Sequence, residues 1–260
     1  QYIMNSQFKN AEILANELIK RDSSDAYLYN RLGIASGQLM KYTNALQAFS
    51  KACNLDTVNK AYRFDLGKAY MQADMQHKAI PLFDSLFRAD STDYMAGFYL
   101  ARCYIQLKGY ESAYNTYRKM LASDSNNVYL YRQLGFCKLK NKETTLGRGY
   151  LQKALLIDST DVPSLEYMVL IHLANKDYDN ALKTQDRLIN LDTTDGFRYF
   201  EKGNIYRDKG HVFMAIKEYE KGIKKDYIGP DIYKEYGKAM IAGKWYRQGI
   251  DTLNKGIMAF

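Results

Sequence analysis

One spacing constrains this chain more than any other feature: with one exception, a small residue returns every 34 positions, and no insertion breaks the register. With Tyr94 as position 1 of the period, position 8 holds Gly33, Gly67, Ala101, Gly135, Val169, Gly203 and Gly237. Position 20 holds Ala11, Ala45, Ala79, Ala113, Gly147, Ala181, Ala215 and Gly249. Self-similarity at such a period is the signature of stacked structural repeats.

Each period contains two amphipathic helical patterns. In the central copy, residues 94–127, apolar residues recur at helical spacing on both sides of a Lys108-Gly109 turn. The pattern predicts a first helix over positions 2–14 and a second helix over positions 18–31. Gly or Ala at positions 8 and 20 allows the two helix axes to approach closely. Because a lone helix pair cannot bury both of its faces, neighbouring pairs must stack.

Motif residues at fixed places in the period carry a family resemblance. They are Leu32-Gly33, Leu66-Gly67 and Leu134-Gly135, then Tyr70, Tyr104 and Tyr206, and in the second helix Ala45/Phe49 and Ala79/Phe83. These residues resemble the tetratricopeptide repeat over the whole chain. The resemblance implies an all-α fold, a right-handed superhelical solenoid of antiparallel helix pairs that binds other proteins.

The loops between repeats depart from the family in one respect. Where the family often has Pro after the last Asp, this chain has Ser or Thr, as in Asp90-Ser91 and Asp192-Thr193. Side chains of Asp, Ser and Thr can end one helix and cap the next, so we expect capping turns rather than calcium loops. Loops of this type suggest a bacterial source.

The register predicts a single solenoid over residues 1–260. It divides into a partial repeat 1–25, six repeats at 26–59, 60–93, 94–127, 128–161, 162–195 and 196–229, and a nearly complete repeat 230–260. Tyr2 falls on the Tyr place of the partial repeat, so we expect the chain to begin in mid-repeat, with more sequence upstream. The stretch Ile257–Phe260 has no polar capping helix after it, which predicts either a continuation or self-association through this C-terminal end.

Gly147 and Gly149 lie in the second helix of repeat 128–161. Each is expected to cost up to ~1 kcal/mol of helix stability relative to Ala. The sequence therefore predicts a local weak point in this repeat.

Composition excludes several classes of protein. The residues are 47% hydrophobic and 25% charged, which is typical of a folded chain, and no stretch approaches the ~18 apolar residues of a membrane span. Cys53, Cys103 and Cys137 are an odd number within helical patterns, so we expect free buried thiols. The three histidines share no helix face, and no nucleophile, phosphate-binding or zinc-binding motif occurs. We therefore expect no enzyme activity, no cofactor and no metal.

The expected binding surface is the concave groove, into which positions 2, 5, 6, 9 and 13 of the first helices point in proteins of this type. These positions alternate aromatic rings with Arg, Lys and amide side chains, which are the usual anchors of recognition surfaces. About half of the rings, Tyr99 and Tyr167 first among them, are expected only to fill space between helices. The predicted peptide-binding residues are Asn30, Arg31, Phe64, Lys68, Met95, Phe98, Tyr99, Arg102, Gln106, Tyr129, Arg132, Gln133, Phe136, Phe200 and Asn204.

The function expected from these patterns is a non-enzymatic scaffold that binds a peptide or helix of a partner protein. Lys68, Arg102 and Arg132 would pair with charges, and Phe64, Phe98 and Phe136 would be apolar anchors.

Two other functions remain open at this point. One is an interaction or sensor segment of a larger envelope-assembly or regulatory protein. The other is nucleic-acid or anionic-surface binding through the net charge of +8, which we do not expect because the basic residues are interleaved with acidic ones. No membrane insertion is expected. A soluble chain of the cytoplasm is predicted or, if an export signal has been removed, of the bacterial periplasm.

Overall fold

The computed structural model describes Ile3 and residues 7–259, and within this part of the chain all regular structure is α-helical. The helices are α1 (Phe8–Arg21), α2 (Ala26–Gln38), α3 (Tyr42–Leu55), α4 (Lys60–Gln72), α5 (Gln76–Ala89), α6 (Tyr94–Gln106), α7 (Tyr110–Ser123), α8 (Val128–Lys140), α9 (Thr144–Ile157), α10 (Val162–Ala174), α11 (Tyr178–Leu191), α12 (Gly196–Asp208), α13 (Val212–Lys224), α14 (Pro230–Ala242) and α15 (Tyr246–Ala259). The expectations that concern Tyr2 and Phe260 lie outside the described residues.

Both helices of the repeat begin and end one residue earlier than predicted. Helix α6 occupies positions 1–13 of the period, and α7 occupies positions 17–30. The first helix starts at position 1 because the preceding Asp93 is its N-cap: the Asp93 carboxylate accepts a hydrogen bond from the Ala96 backbone N–H at 3.0 Å.

The turn within each repeat closes on a residue with a left-handed backbone. In the central copy this residue is Lys108, with φ of 59°, rather than the neighbouring Gly109. The Lys108 N–H donates to the Ile105 carbonyl at 2.9 Å, and the Gly109 N–H donates to the Tyr104 carbonyl at 2.8 Å. This pair of bonds is the Schellman motif, which satisfies the last carbonyls of a helix.

The loops between repeats are capping turns, as the sequence predicted. The Asp90 carboxylate accepts hydrogen bonds from the Thr92 hydroxyl at 2.6 Å and from the Thr92 backbone N–H at 3.0 Å. These two bonds lower the pKa of Asp90. The same arrangement recurs at Asp158 and Asp192. Each of these three loops therefore ends one helix and leads directly into the Asp that caps the next.

The helices form two compact units, one that ends at Asn126 and one that begins at Asn127. Within each unit every helix packs against its neighbours in sequence, and successive first helices also contact each other: α2 with α4, α4 with α6, α8 with α10, and α12 with α14. The fold is thus the predicted all-α solenoid of helix pairs. We call the side on which these helices meet the first-helix face of each unit.

Close packing at positions 8 and 20 is confirmed. Ala79 and Phe83 of α5 are fully buried, and a Cβ atom added at Gly67 of α4 would lie 2.7 Å from the Phe83 ring. Such a contact is shorter than van der Waals separation, so only glycine allows α4 to lie this close to α5.

Cys103 and Cys137 are buried, as predicted, whereas Cys53 is only half-buried. Burial raises the pKa of Cys103 to about 11. None of the described helices is both long and apolar enough to cross a membrane.

Candidate functional site

The first-helix face of the first unit contains a cluster of aromatic rings. Phe64 of α4 meets Tyr99 of α6 edge to face, with ring centroids 5.3 Å apart. Tyr99 stacks on the buried Phe83 at 5.4 Å and meets Phe98 edge to face at 5.5 Å. Phe64 and Tyr99 therefore hold neighbouring repeats together, and Tyr99 has the space-filling role expected of it.

Three cations on this face lie over aromatic rings, one in each of three successive repeats. The distances to the ring centroids are 4.8 Å from Arg31 to Tyr27, 5.9 Å from Lys68 to Phe64, and 5.5 Å from Arg102 to Phe98. Among the described residues, no carboxylate lies within ion-pair distance of any of these three cations. We call Arg31, Lys68, Arg102 and their rings the cation row.

The predicted binding residues of this face differ in how far their side chains are exposed to solvent. Arg102, Gln106 and Met95 are exposed on α6, and Met95 retains 47% of its accessible surface. Asn30, in contrast, is fully buried and donates its amide N–H to Asp65 of α4 at 2.9 Å. The structure therefore places Asn30 between α2 and α4, where it links two repeats and cannot reach a partner.

Arg132 on α8 of the second unit is held by the last residue of its own repeat, which also caps the first helix of the next repeat. Its guanidinium forms an ion pair with Asp161, and it lies 5.3 Å from the Tyr129 ring. The second carboxylate oxygen of Asp161 accepts the Ser164 backbone N–H at 3.1 Å, which caps α10. Arg132 thus supports a helix cap, and its charge is balanced within the fold.

The remaining predicted residues of the second unit divide between surface and core. Gln133 and Phe136 are half-buried on α8, and the Phe136 ring lies 5.9 Å from Tyr167. Phe200 is buried against Tyr219, with ring centroids 5.8 Å apart.

Asn204 is engaged by groups of its own unit. Its side-chain oxygen accepts hydrogen bonds from the Tyr219 hydroxyl at 2.9 Å and from Arg207 at 3.1 Å. Burial raises the pKa of Tyr219 to about 12, since the charged form of the ring would lose its hydration. Phe200 and Asn204 therefore contribute mainly to packing.

A cavity of about 300 Å³ opens between α10, α11 and α12 of the second unit, which we call the α10–α12 cavity. Arg198 lies at its edge and forms ion pairs with Glu166 at 2.5 Å, with Asp195 at 3.3 Å and with Glu201 at 3.3 Å. Gln185 of α11 also lines the cavity and is fully buried.

The ionisable groups of this cavity influence one another. Burial raises the pKa of Glu201, and hydrogen bonds from Gln185 and Arg198 only partly offset that effect. Burial also disfavours the charged form of Arg198, but the hydrogen bond and charge of Glu166, together with the charges of Glu201 and Asp195, outweigh it, so the pKa of Arg198 is raised. The cluster therefore keeps its guanidinium charged beside several carboxylates.

Arg198 and Gln185 are not among the residues predicted from the sequence. They occupy positions 3 and 24 of their repeats, which lie outside the positions expected to face the groove. The only available signal was the spacing of Arg198 and Glu201, three residues apart on one helix.

Comparisons with known proteins identify the fold. No protein-family model matches the sequence, and no curated protein matches it. Among solved structures, the C-terminal part of a tetratricopeptide-repeat-containing protein from Cytophaga hutchinsonii aligns with a TM-score of 0.76 at 15% identity, covering 90% of this chain and 96% of that one. A tetratricopeptide repeat protein from Parabacteroides merdae aligns with a TM-score of 0.65 at 15% identity, covering 90% and 92%.

A third solved structure is YrrB, described as a tetratricopeptide repeat protein with an unusual peptide-binding site. It aligns with a TM-score of 0.55 at 20% identity, covering 77% of this chain and 100% of that one. At these identities the similarity concerns the fold. This chain has the tetratricopeptide-repeat fold.

Proposed function

We propose that this chain is a non-enzymatic, bacterial protein-interaction scaffold whose first unit binds an acidic peptide segment or helix of a partner. The cation row is the observation that carries the proposal. The row consists of three cations that lie over aromatic rings on successive repeats. Because none of them has a carboxylate partner among the described residues, their positive charge is not balanced by an ion pair. Arg and aromatic side chains are also the residues most often responsible for binding energy at protein interfaces.

Exposure favours the α6 end of the cation row as the centre of the site. Arg102 is exposed, and Met95 and Gln106 on the same helix are exposed beside it. An extended or helical peptide could place an apolar side chain on Met95 and Phe98 and a carboxylate on Arg102. The other predicted groove residues that remain accessible, Tyr129, Gln133 and Phe136, are proposed as secondary contacts.

The proposal is tested by selecting binders for the purified chain from a displayed library of random peptides. We expect the selected peptides to be rich in Asp and Glu. Arg102→Glu should weaken their affinity by about tenfold or more, because a charge-assisted bond becomes a repulsion. Arg118→Glu is the matched control, since Arg118 is exposed on the second helix α7 and should leave affinity unchanged.

Three results would contradict this function. The first is a selection without enrichment of acidic residues. The second is an Arg102→Glu variant that is folded and binds as well as the parent. The third is tighter binding of a single-stranded oligonucleotide than of any selected peptide, with the steep loss of affinity on added salt that phosphate contacts produce.

A further inference from the structure

The α10–α12 cavity has apolar walls. Leu170 and Leu173 of α10 and Leu188 of α11 line it, and Leu170 is exposed at its mouth. Its volume of about 300 Å³ lies at the lower end of the range for ligand pockets, roughly 300–1,000 Å³. The space therefore suits one inserted side chain better than a cofactor.

A buried acceptor without a partner lies at this cavity. The Gln185 side chain donates its amide N–H groups to the Arg198 carbonyl at 2.8 Å and to the Glu201 carboxylate at 3.3 Å. Both neighbours can only accept, so the amide cannot be turned round. Its Oε1 atom is buried and has no hydrogen-bond partner among the described residues. Buried acceptors are normally paired with a hydrogen-bond donor, so this atom indicates a ligand that donates a hydrogen bond.

The charges at the cavity point to the same kind of ligand. The single guanidinium of Arg198 pairs with three carboxylates, those of Glu166 and Glu201 in the cavity wall and that of Asp195 at the α12 N-cap, so this cluster has a net charge of −2. Asp208, which also lines the cavity, is paired with Arg207. The cluster is acidic in a chain whose net charge is +8. It can accept a second cation.

We propose that the α10–α12 cavity is a pocket for a lysine side chain of the bound partner. The four-carbon stem would lie against the leucines, and the ammonium would donate to Gln185 Oε1 and to the carboxylates of Glu166 and Glu201. Lysine fits because its three donors are compact and its stem is apolar. The identity of the partner as a peptide rests on the proposed function, but the pocket itself can be tested without that partner.

The probe is N-acetyl-lysine N-methylamide, titrated into the full chain while the side-chain amide resonance of Gln185 is followed by NMR. The matched control is N-acetyl-norleucine N-methylamide, which has the same stem without the ammonium. We expect the lysine amide to shift the Gln185 resonance saturably and the norleucine amide to bind at least about tenfold more weakly, since it lacks the charged donor. Equal binding of the two amides would overturn the proposal.

Glu→Gln variants distinguish binding at this cavity from general electrostatic attraction of the lysine amide to the protein. Glu201→Gln and Glu166→Gln should each weaken the lysine amide by about tenfold, the effect of losing one charged acceptor. Glu17→Gln removes the same charge from an exposed position of α1 in the first unit and should change nothing. If both cavity variants are folded and bind the lysine amide as the parent does, the pocket assignment is wrong.

The two proposals can fail separately. An Arg102→Glu variant that still binds selected peptides contradicts the cation row and leaves the lysine titration to be judged alone. Absence of a lysine-specific shift, with acidic peptides still selected, contradicts only the pocket.

Discussion

The packing of α12 against α13 gives a sharp test of why this repeat requires small residues at position 8. A Cβ atom added at Gly203 would lie 2.5 Å from the Tyr219 ring. Tyr219 is fully buried, and its hydroxyl donates to Asn204 on the helix that carries Gly203. The ring is thus held at both ends and cannot move aside. We predict that Gly203→Ala destabilises the protein.

The size of the effect follows from two opposing contributions. Replacing Gly by Ala within a helix stabilises it by about 0.8–1.0 kcal/mol. Forcing an extra methyl group into a well-packed core typically costs about 1–3 kcal/mol. Because the ring is buried and hydrogen-bonded, we expect the larger part of that range, and a net destabilisation of roughly 1–2 kcal/mol.

Gly149 on α9 is the matched control. It lies within a helix, but a Cβ added there would have no atom within 4 Å other than those of its chain neighbours and of the helix's own backbone. Gly149→Ala should therefore show only the helix contribution, a stabilisation of about 0.5–1 kcal/mol. Both variants are compared with the parent by urea unfolding followed by circular dichroism, with unfolding midpoints as the measure because long repeat arrays need not unfold in two states.

The reasoning would be refuted by a Gly203→Ala variant at least as stable as the parent. A Gly149→Ala variant that loses as much stability as Gly203→Ala would equally contradict it, since the contact with Tyr219 would then not be the cause.

Two further predictions concern charged and titrating groups. Arg132→Met should lower the unfolding free energy by about 1–3 kcal/mol because Asp161 loses its partner in a partly buried pair. Arg102→Met should change the unfolding free energy by no more than about 0.5 kcal/mol. Equal losses of the two variants in urea unfolding would contradict the separate roles of the two arginines. The pKa of about 12 for Tyr219 in the folded state lies above the ~10 of the unfolded chain, so its contribution is complete below pH 10 and is lost as pH rises from 10 to about 12. The unfolding free energy, measured from pH 10 to pH 12, should fall more steeply for the parent than for Tyr219→Phe. The same pH dependence in both proteins would contradict this linkage.

Local features of the fold could be predicted from the sequence because the same contact is made again in each copy. Gly67 opposite Phe83 and Gly203 opposite Tyr219 are the same contact in two repeats, so the small residue at position 8 already indicated two closely packed helices. Asp90-Ser-Thr-Asp93 likewise predicted a capping turn, because the bonds involved join residues two or three positions apart.

Details that depend on contacts between particular neighbouring groups could not be predicted from the repeat pattern. Asp93 shifts the start of α6 by one residue, because its carboxylate bonds the Ala96 N–H and so makes Tyr94 the first helical residue. At the turn, Lys108 rather than Gly109 takes the left-handed conformation, since the Schellman bonds require it at that place. Gly147, which is predicted to weaken its helix, also allows close packing, because a Cβ there would lie 2.8 Å from Leu139.

The period of 34 residues by itself determined the helix pairs, their stacking and the positions that must stay small, because those depend on what every repeat shares. Only the tertiary structure decided which charges are balanced within the fold. Arg132 and Arg102 look alike in sequence, yet Arg132 pairs with Asp161 at the end of the same repeat while Arg102 lies over the Phe98 ring. Arg198 and Gln185 come from different helices and enclose a cavity that neither helix forms alone. The effect of a charged side chain depends on the groups that surround it in space, and those groups differ from one repeat to the next.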